Sequence, residues 1–320
     1  MSQSEPVVSI VVVSYNTRDL TVACLRSLAL ETTIPHQVIV VDNASSDGSA
    51  AAIASVFPDV TLLAETTNHG FAKANNIGAR RATADLLLLL NPDTVVLNGA
   101  IDALVQFARD QPSARIWGGR TVFADGSLNP ASCWRAMSLW TIICRTTGLD
   151  TALHANPILN AEAYGGWARD TERQVDIVSG CFFLIDHSLW RDLEGFDERF
   201  VMYGEEADLC LRSRAQGAAP LVTPAAEIIH YGGASEPIRS AKHQRLLRAK
   251  ISLVQRHLHW TQRTIAVSVL RLWPFSRMVA ATTIERLRPG DSNKHRSEEW
   301  AAVWSERTEW WDGYPDPEAT

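Results

Sequence analysis

Three carboxylate side chains, those of Glu205, Glu206 and Asp208, lie within four consecutive positions of the sequence. Like charges this close raise one another's pKa values, which suits a general base that removes a proton near neutral pH. The alternative interpretation is a solvated helix start, because acidic side chains stabilise the N-terminus of a helix. Aromatic residues are frequent between Trp190 and Tyr203, directly before the cluster, and this favours a pocket at the same place.

A further carboxylate, Asp93, ends the segment Asn91-Pro92-Asp93, which follows five consecutive leucines. A buried strand that terminates in a carboxylate presents this charge at the rim of a sheet, where a divalent cation and phosphate oxygens can bind. Asn-Pro-Asp is also a common turn sequence, so the motif alone permits both interpretations. His230 ends another predicted strand and could complete the shell of such an ion, although a lone histidine is more often structural.

Asp42 follows a predicted strand and begins the polar turn 42–48. A carboxylate at this point can accept hydrogen bonds from a nucleobase or a ribose, with Ser14 and Tyr15 beside it at the end of the neighbouring strand. Alternatively, Asp42 and Asp47 cap the turn and the helix that follows. Neither GxGxxG nor GxxxxGK[ST] is present, which argues against a dinucleotide-binding dehydrogenase and against a P-loop nucleotidase.

Strand and helix patterns alternate four times in about the first hundred residues, and this spacing is typical of an α/β fold with a mostly parallel sheet and helices on both faces. The predicted strands are 7–13, 37–41, 60–63 and 85–90, and the predicted helices begin at about 18, 49, 71 and 100. Ligands of such sheets bind beyond the carboxyl ends of the strands, which here carry the polar clusters. Later strands are predicted at 117–123, 175–185 and 221–222, and the pattern is helical from 241 onward.

The chain has 320 residues, of which 46% are apolar, and a net charge of −6. This composition permits a large core and argues against a protein that coats nucleic acid. The five cysteines are odd in number and include no CxxC pair, so neither a disulfide framework nor a cysteine zinc site is predicted. No signal peptide and no apolar run of about 18–20 residues is recognisable.

Taken together, the motifs resemble the family 2 inverting glycosyltransferases of the GT-A fold, and in particular their bacterial rhamnosyltransferase-like branch. The resemblance covers about residues 7–235 and rests on eight segments in the order of the family. The segments are 11–16 (VVVSYN), 41–49 (VDNASSDGS), 68–78 (NHGFAKANNIG), 87–93 (LLLLNPD), 179–185 (SGCFFLI), 195–200 (GFDERF), 205–212 (EEADLCLR) and 229–233 (IHYGG).

The resemblance implies transfer of a sugar, with rhamnose as one candidate, from a dTDP- or UDP-sugar to a glycan or lipid-linked glycan of the bacterial cell envelope, with Mg²⁺ or Mn²⁺ as cofactor. It implies that the donor is bound by Ser14, Tyr15, Asn16, Asp42, Asn43, Asn68, Gly70, Phe71, Asn75 and Asn91. Asp93 and His230 would bind the metal. Glu206 would be the base, with Glu205 and Asp208 as alternatives.

Two positions depart from the family pattern. Asn91 stands where many members have the first acid of an Asp-x-Asp metal motif, so the ion is expected to be recruited mainly with the donor diphosphate. Glu206 stands where an aspartate base is usual, and its additional methylene displaces the carboxylate by about one carbon–carbon bond. Two other functions remain open: a sugar-phosphate nucleotidyltransferase, although the first turn lacks a Gly- and Arg-rich loop, and a non-catalytic sugar-nucleotide-binding scaffold.

Four parts are predicted along the chain: a donor half (1–112), an acceptor and catalytic half of the same domain (113–238), a basic helical appendage (239–296) and an acidic tail (297–320). The appendage holds 13 Lys and Arg against two acids, and Leu247, Ile251, Val254 and Leu258 follow a helical spacing. This pattern permits an interfacial helix pair on an anionic membrane, or helices that pack against the body of the protein. The expected location is therefore cytoplasmic, with peripheral attachment to the inner face of the cytoplasmic membrane as one possibility.

Overall fold

A computed structural model describes residues 5–232 and 239–315, which divide into two compact units. Unit 1 comprises 5–134, 168–201 and 205–232, and unit 2 comprises 135–167, 202–204 and 239–315. Gly233, which ends the predicted 229–233 motif, and residues 316–320 of the predicted acidic tail lie outside the described residues.

Unit 1 is built on a nine-stranded mixed sheet with an additional two-stranded pair. The strands of the sheet are β1 (Val8–Ser14), β2 (His36–Asp42), β3 (Thr61–Ala64), β4 (Leu86–Leu90), β5 (Thr94–Val96), β6 (Ile116–Val122), β8 (Arg173–Gln174), β10 (Phe182–Asp186) and β11 (Leu221–His230); β7 (Cys133–Trp134) and β9 (Ile177–Val178) form the pair. The strand order is β3-β2-β1-β4-β10-β6-β11-β5, with β8 also paired to β11. Strands β1 to β4 are parallel neighbours, whereas β10 is antiparallel to both β4 and β6.

Six α-helices belong to unit 1, and the first four alternate with the strands as the sequence predicts. They are α1 (Arg18–Glu31), α2 (Ser49–Val56), α3 (Gly70–Ala79), α4 (Ala100–Asp110), α7 (His187–Asp192) and α8 (Glu205–Ala215). All seven residues of β1 are buried, since the sheet is covered on both faces. Helix α4 packs Ile101, Leu104 and Val105 into the main core cluster, which also contains residues of β1, β2 and β4.

The register of the sheet aligns the polar ends of its central strands. Ser14 pairs with Asp42 at the ends of β1 and β2, and Val12 pairs with Leu90, which directly precedes Asn91. The prediction of one polar rim is therefore confirmed for these three strand ends. At the far edge of the sheet, β11 pairs with β5 so that His230 lies opposite Thr94, next to Asp93 in the chain.

The strand predicted over 175–185 is two strands in the structure. Residues 177–178 form β9 and pair with β7, and then the chain turns at 179–181 and enters the main sheet as β10. The turn contains Gly180, which interrupts the apolar run. Strand β11 is longer than predicted because its pairing to β6 resumes after a register shift between Val222 and Glu227.

Unit 2 is helical and has its own core. Its helices are α5 (Leu139–Thr147), α6 (Leu149–Ala152), α9 (Arg239–His257), α10 (Trp260–Leu287) and α11 (Asp291–Ser305). Leu247, Ile251 and Val254 are fully buried in a cluster with α5, α10, α11 and the buried Trp310. The helical stripe of the predicted appendage therefore faces the core of unit 2. No helix in the described part of the chain is long and apolar enough to cross a membrane.

A buried group of charges lies beside this core. The Glu162 carboxylate accepts a 2.5 Å hydrogen bond from Lys250 Nζ and lies 3.2 Å from Arg145 Nη2. Arg145 also pairs with Asp150, and its guanidinium lies over the ring of Trp273. Burial by itself would raise the pKa of Glu162, but the two cations outweigh burial and lower this pKa below its usual value. Glu162 is therefore ionised in the folded protein, and its charge is compensated.

Replacing Glu162 by Gln is expected to lower the free energy of unfolding by about 3 kcal/mol, because it removes the buried negative charge that pairs with Lys250 and Arg145. Since the folded-state pKa of Glu162 is depressed, this contribution is present above the unfolded pKa and is lost as pH falls through the folded pKa. Denaturant unfolding followed by tryptophan fluorescence is suitable, because eight of the eleven tryptophans belong to unit 2. As a control, replacing the exposed Glu298 by Gln should change the free energy of unfolding by no more than about 0.5 kcal/mol. A similarly small change for Glu162→Gln would contradict the expectation.

Candidate active site

Asp42 ends β2 with a buried carboxylate that is only partly used by the protein. Its Oδ2 accepts a 3.2 Å hydrogen bond from the backbone N–H of Ser45, whereas Oδ1 is buried and has no hydrogen-bond partner among the described residues. An unpaired acceptor in a buried position costs free energy unless a ligand donates to it. The Asp42 side chain is therefore suited to receive a hydroxyl or ring N–H of a ligand.

At the neighbouring strand end, the hydroxyl of Ser14 differs in its position from Tyr15 and Asn16. The Ser14 hydroxyl is fully buried and bonds to the hydroxyl of Thr21 at 2.9 Å, so it is engaged beneath the rim. Tyr15 is exposed on the rim, and the amide oxygen of Asn16 accepts a 2.8 Å hydrogen bond from the N–H of Ser46. The side chain of Asn16 thus holds the turn after β2 in place beside Tyr15.

Asn43 and Asn68 fix the turn that precedes α3. Asn43 Nδ2 donates to Asn68 Oδ1 at 2.9 Å, and Asn43 Oδ1 accepts from the N–H of His69. Gly70 has φ +77°, and a Cβ at this position would lie 2.6 Å from the carbonyl oxygen of Val201. Both the left-handed conformation and this close contact require glycine.

Helix α3 is bonded to the segment that leads to the acidic cluster. The N–H of Phe71 donates to the carbonyl of Val201 at 2.9 Å. Asn76 bonds twice to the backbone of Phe196, through Nδ2 to its carbonyl and through Oδ1 from its N–H. Asn75 is buried and donates to the carbonyl of Phe71 within the helix. The side chain of Asn75 therefore supports the start of α3.

The Asn91–Asp93 segment lies against His230. Asp93 Oδ1 is 3.4 Å from His230 Nε2, and the carbonyl of Asp93 accepts from the N–H of Tyr231. Burial would lower the pKa of His230, but Cys181 and Asp93 outweigh it and raise this pKa to about 10. Asn91 Oδ1 and His230 Nδ1 are buried and have no hydrogen-bond partner among the described residues.

These groups fit a divalent cation that is shared with a ligand. A carboxylate and an unpaired amide oxygen are the hard oxygen donors that Mg²⁺ and Mn²⁺ prefer. The described residues contain no group of three or more His, Cys, Asp and Glu side chains that could hold an ion by themselves. Oxygens of a bound diphosphate would have to complete the shell. His230 would have to lose its proton to coordinate the ion and otherwise pairs with Asp93 as an imidazolium.

The three acidic candidates at the start of α8 have different environments. Glu205 is buried, and its pKa is raised well above the usual value by burial and by the neighbouring Glu206. Asp208 is fully buried and bonds to Arg212 Nε at 2.6 Å, and this guanidinium also donates to the carbonyls of Leu193 and Gly195. Glu206 is partly exposed. Among the three, Glu206 is the residue that is not fully buried, although its Oε2 atom is buried.

One short segment, residues 180–181, lies next to three parts of this site. A Cβ built on Gly180 would lie 3.6 Å from Phe71 Cε1 and 3.7 Å from Glu206 Cβ. The carbonyl of the next residue, Cys181, accepts from the N–H of Asn91 at 3.0 Å. The structure thus brings the start of α3, the Asn91–Asp93 segment and the start of α8 around residues 180–181.

Two contacts of the site were not predicted from the sequence. Asn129 Nδ2 donates to the carbonyl of His230 at 3.2 Å, across 101 residues of sequence, and no local pattern indicates it. The ion pair between Asp208 and Arg212 could have been recognised in the sequence, because an acidic and a basic residue at positions i and i+4 of a helix are neighbours.

Comparison with known proteins shows the family of this chain. A profile of glycosyl transferase family 2 matches residues 9–162. Over 271 residues, the chain is 30% identical to the N-acetylglucosaminyl-diphospho-decaprenol L-rhamnosyltransferase of Mycobacterium tuberculosis, covering 79% of this chain and 86% of the relative. The chain belongs to glycosyl transferase family 2.

A further relative and a solved structure agree with this assignment. The rhamnosyltransferase WbbL of Escherichia coli is 27% identical over 172 residues, which cover 51% of this chain and 61% of WbbL. A solved mannosyltransferase from Pyrobaculum calidifontis, in complex with GDP-Man and Mn²⁺, superposes with a TM-score of 0.59 at 19% identity and covers 96% of this chain and 88% of its own. The likeness in fold confirms the predicted GT-A architecture. The protein is a glycosyltransferase that takes its sugar from a nucleotide sugar.

Proposed function

We propose that this glycosyltransferase transfers rhamnose, with inversion, from a dTDP- or UDP-sugar to a hydroxyl of a growing, lipid-linked glycan of the bacterial cell envelope. The identity to two rhamnosyltransferases supports the sugar, and the name of the mycobacterial relative supports a diphospholipid-linked acceptor. The observation that carries the proposal is the convergence of the start of α3, the Asn91–Asp93 segment and the start of α8 at residues 180–181.

The donor is proposed to lie along the rim of unit 1. The unpaired Oδ1 of Asp42 would accept from the base or ribose, beside Tyr15 and the turn held by Asn16. Asn43, Asn68 and Gly70 would act through the backbone conformation that they fix, and Phe71 and Asn75 through the start of α3. In this arrangement Ser14 contributes its backbone, because its hydroxyl bonds to Thr21.

The diphosphate is proposed to lie against Asp93 and Asn91, with His230 as the partner of Asp93. A divalent cation held there would stabilise the negative charge on the departing nucleoside diphosphate. Asp93 supplies the buried charge that holds such a cation, and Asn91 offers its unpaired amide oxygen. The segment 180–181 keeps these groups close to the base.

Glu206 is proposed as the base. Its carboxylate accepts the proton of the acceptor hydroxyl as the acceptor oxygen bonds to the anomeric carbon and the bond from that carbon to the diphosphate oxygen breaks. One displacement inverts the configuration at the anomeric carbon and needs no second carboxylate as nucleophile. Glu205 remains close by, buried and with a raised pKa, and Asp208 holds Arg212 and the loop before α8.

The same proposal assigns residues 1–112 to the donor half and 113–238 to the acceptor and catalytic half. The protein is proposed to act in the cytoplasm, at the inner face of the cytoplasmic membrane, where lipid-linked acceptors are accessible. A soluble glycan acceptor would remove the need for this location, so transfer to both kinds of acceptor should be compared.

The proposed substrate can be tested by thermal shift with dTDP-rhamnose, UDP-N-acetylglucosamine and GDP-mannose, each with and without Mn²⁺. A ligand at about 100 times its Kd stabilises the fold by about 2.7 kcal/mol, so the preferred donor should give the largest shift. A larger shift with GDP-mannose would overturn the rhamnosyl assignment. Transfer with and without EDTA separates a metal-assisted enzyme from a binding scaffold, which would bind nucleotide sugars without turnover.

Asp42→Asn is expected to weaken the binding of UDP and dTDP by about 10- to 100-fold, because the amide replaces one buried acceptor by a donor. Calorimetric titration of the free nucleotides measures this without catalysis. Asp47→Asn is the matched control, since the Asp47 carboxylate lies in the same turn but accepts from Ser49 and Arg18. It should lower the melting temperature and leave the affinity unchanged. Unaltered affinity in a folded Asp42→Asn would restrict Asp42 to holding the turn.

A further inference from the structure

Helix α10 carries two apolar faces. One face, which includes Ala266, Leu270 and Trp273, is buried in the core of unit 2. On the other side of the helix, Ile265, Leu272 and Val279 are exposed by 56%, 52% and 47%. Residues seven apart in a helix lie about 20° from one another, so these three form one line along α10. Phe275 extends this line sideways and is also exposed. We call these four residues the outer strip.

Exposed basic side chains lie close to the outer strip in the sequence. Arg263, Arg286 and Arg288 are exposed on and just after α10, and Lys294 and Arg296 are exposed at the start of α11. Ile284 and Leu287, between these arginines, are exposed as well. The whole segment 239–296 carries a net charge of +11. An exposed apolar line accompanied by basic side chains is typical of a helix that lies in a membrane interface.

A second copy of the chain fits this surface less well. In a coiled-coil seam, a second apolar line would alternate with the outer strip, but Ser268 and Thr282 occupy two of its three positions. Two copies would also bring surfaces of the same positive sign together. An anionic lipid surface instead has the opposite charge and accepts a single apolar line.

We propose that the outer strip of α10 lies on an anionic lipid surface, with its arginines at the headgroups. The inference rests on the proposed function, in which the acceptor is lipid-linked, and identifies the surface by which the enzyme reaches it. It differs from the prediction based on Leu247, Ile251 and Val254, which face the core of unit 2. Trp260, the first residue of α10, is exposed and suits the headgroup region.

Sedimentation with vesicles of phosphatidylcholine, alone or mixed with phosphatidylglycerol, tests the proposal on the full-length protein. The wild type should bind only the mixed vesicles, and less as salt is raised. The double variant Leu272→Ser/Val279→Ser should bind them at least about tenfold more weakly, since two apolar side chains no longer enter the interface. The matched control is Leu30→Ser on α1, which removes an isolated leucine exposed by 81% and should not alter binding.

A charge pair gives an independent test. Arg286→Gln/Arg288→Gln should weaken binding to the mixed vesicles by about tenfold, whereas Arg26→Gln/Arg109→Gln removes equal charge from unit 1 and should have little effect. Equal binding to neutral vesicles, no binding to mixed ones, or undiminished binding of both α10 variants would overturn the proposal. Dimerisation that the Leu272→Ser/Val279→Ser variant abolishes would assign the strip to a second copy. Titration of UDP and dTDP on the same variants tests the donor site separately, so failure of the proposed function is recognised independently.

Discussion

Replacing Glu206 by Gln is expected to lower turnover by about 10²- to 10⁴-fold while the donor still binds. The amide has nearly the shape of the carboxylate but cannot accept the proton of the acceptor hydroxyl. Glu206 is the partly exposed member of the acidic cluster, and it lies close to Gly180 next to Phe71. Single-turnover transfer from labelled donor, together with calorimetric donor binding, separates the loss of chemistry from a loss of affinity.

Neighbouring carboxylates provide the controls. Glu205→Gln should affect turnover much less, because the side chain of Glu205 is buried and an amide of nearly the same shape occupies its place. Asp208→Asn should mainly lower the melting temperature, since it breaks the bond to Arg212. Glu206→Asp keeps a carboxylate but withdraws it by one methylene, so an intermediate rate is expected. If Glu205→Gln instead shows the large loss of turnover, the base is Glu205 and not Glu206.

Replacing Asp93 by Asn is expected to reduce transfer by at least about 10²-fold, because charge stabilisation by a bound cation contributes several kcal/mol to such a transition state. The side chain keeps its size, so the buried segment should keep its fold. Affinity for UDP or dTDP should also lose its dependence on Mn²⁺, which calorimetry measures without turnover. The exposed Asp125→Asn is the matched control. Wild-type turnover and Mn²⁺ dependence in a folded Asp93→Asn would exclude Asp93 from the site.

The sequence predicted the first half of the sheet well because local patterns determine it. Strand β1 is β-branched and buried throughout, and β4 is a run of leucines, so their type and polar ends could be recognised. The antiparallel insertion of β10 between β4 and β6 could not be recognised, because it depends on partners 65 to 100 residues away. The same holds for the pair Glu162–Lys250, whose members are separated by 88 residues.

Candidate site residues were predictable in type and position but not in orientation. Asp42 and Asp93 lie at the rim as their strand ends predicted, whereas the hydroxyl of Ser14 bonds to Thr21 beneath it. Sequence patterns show which residues follow a strand, but the direction of each side chain depends on neighbours from other elements. The donor, metal and base roles of these residues remain predictions.

The path of the chain between the two units limits how this enzyme can be divided or recombined. In the described ranges, the backbone leaves unit 1 after residues 134, 201 and 232 and returns to it at 168 and 205. Deleting residues 239–296 would remove the core partners of Ile142, so the rest of the chain would not keep its fold. A chimera that exchanges the helical unit between relatives must replace three separate stretches together, including the three residues that directly precede Glu205. Grafts of the helical unit should therefore be built as coordinated replacements rather than as a single C-terminal segment.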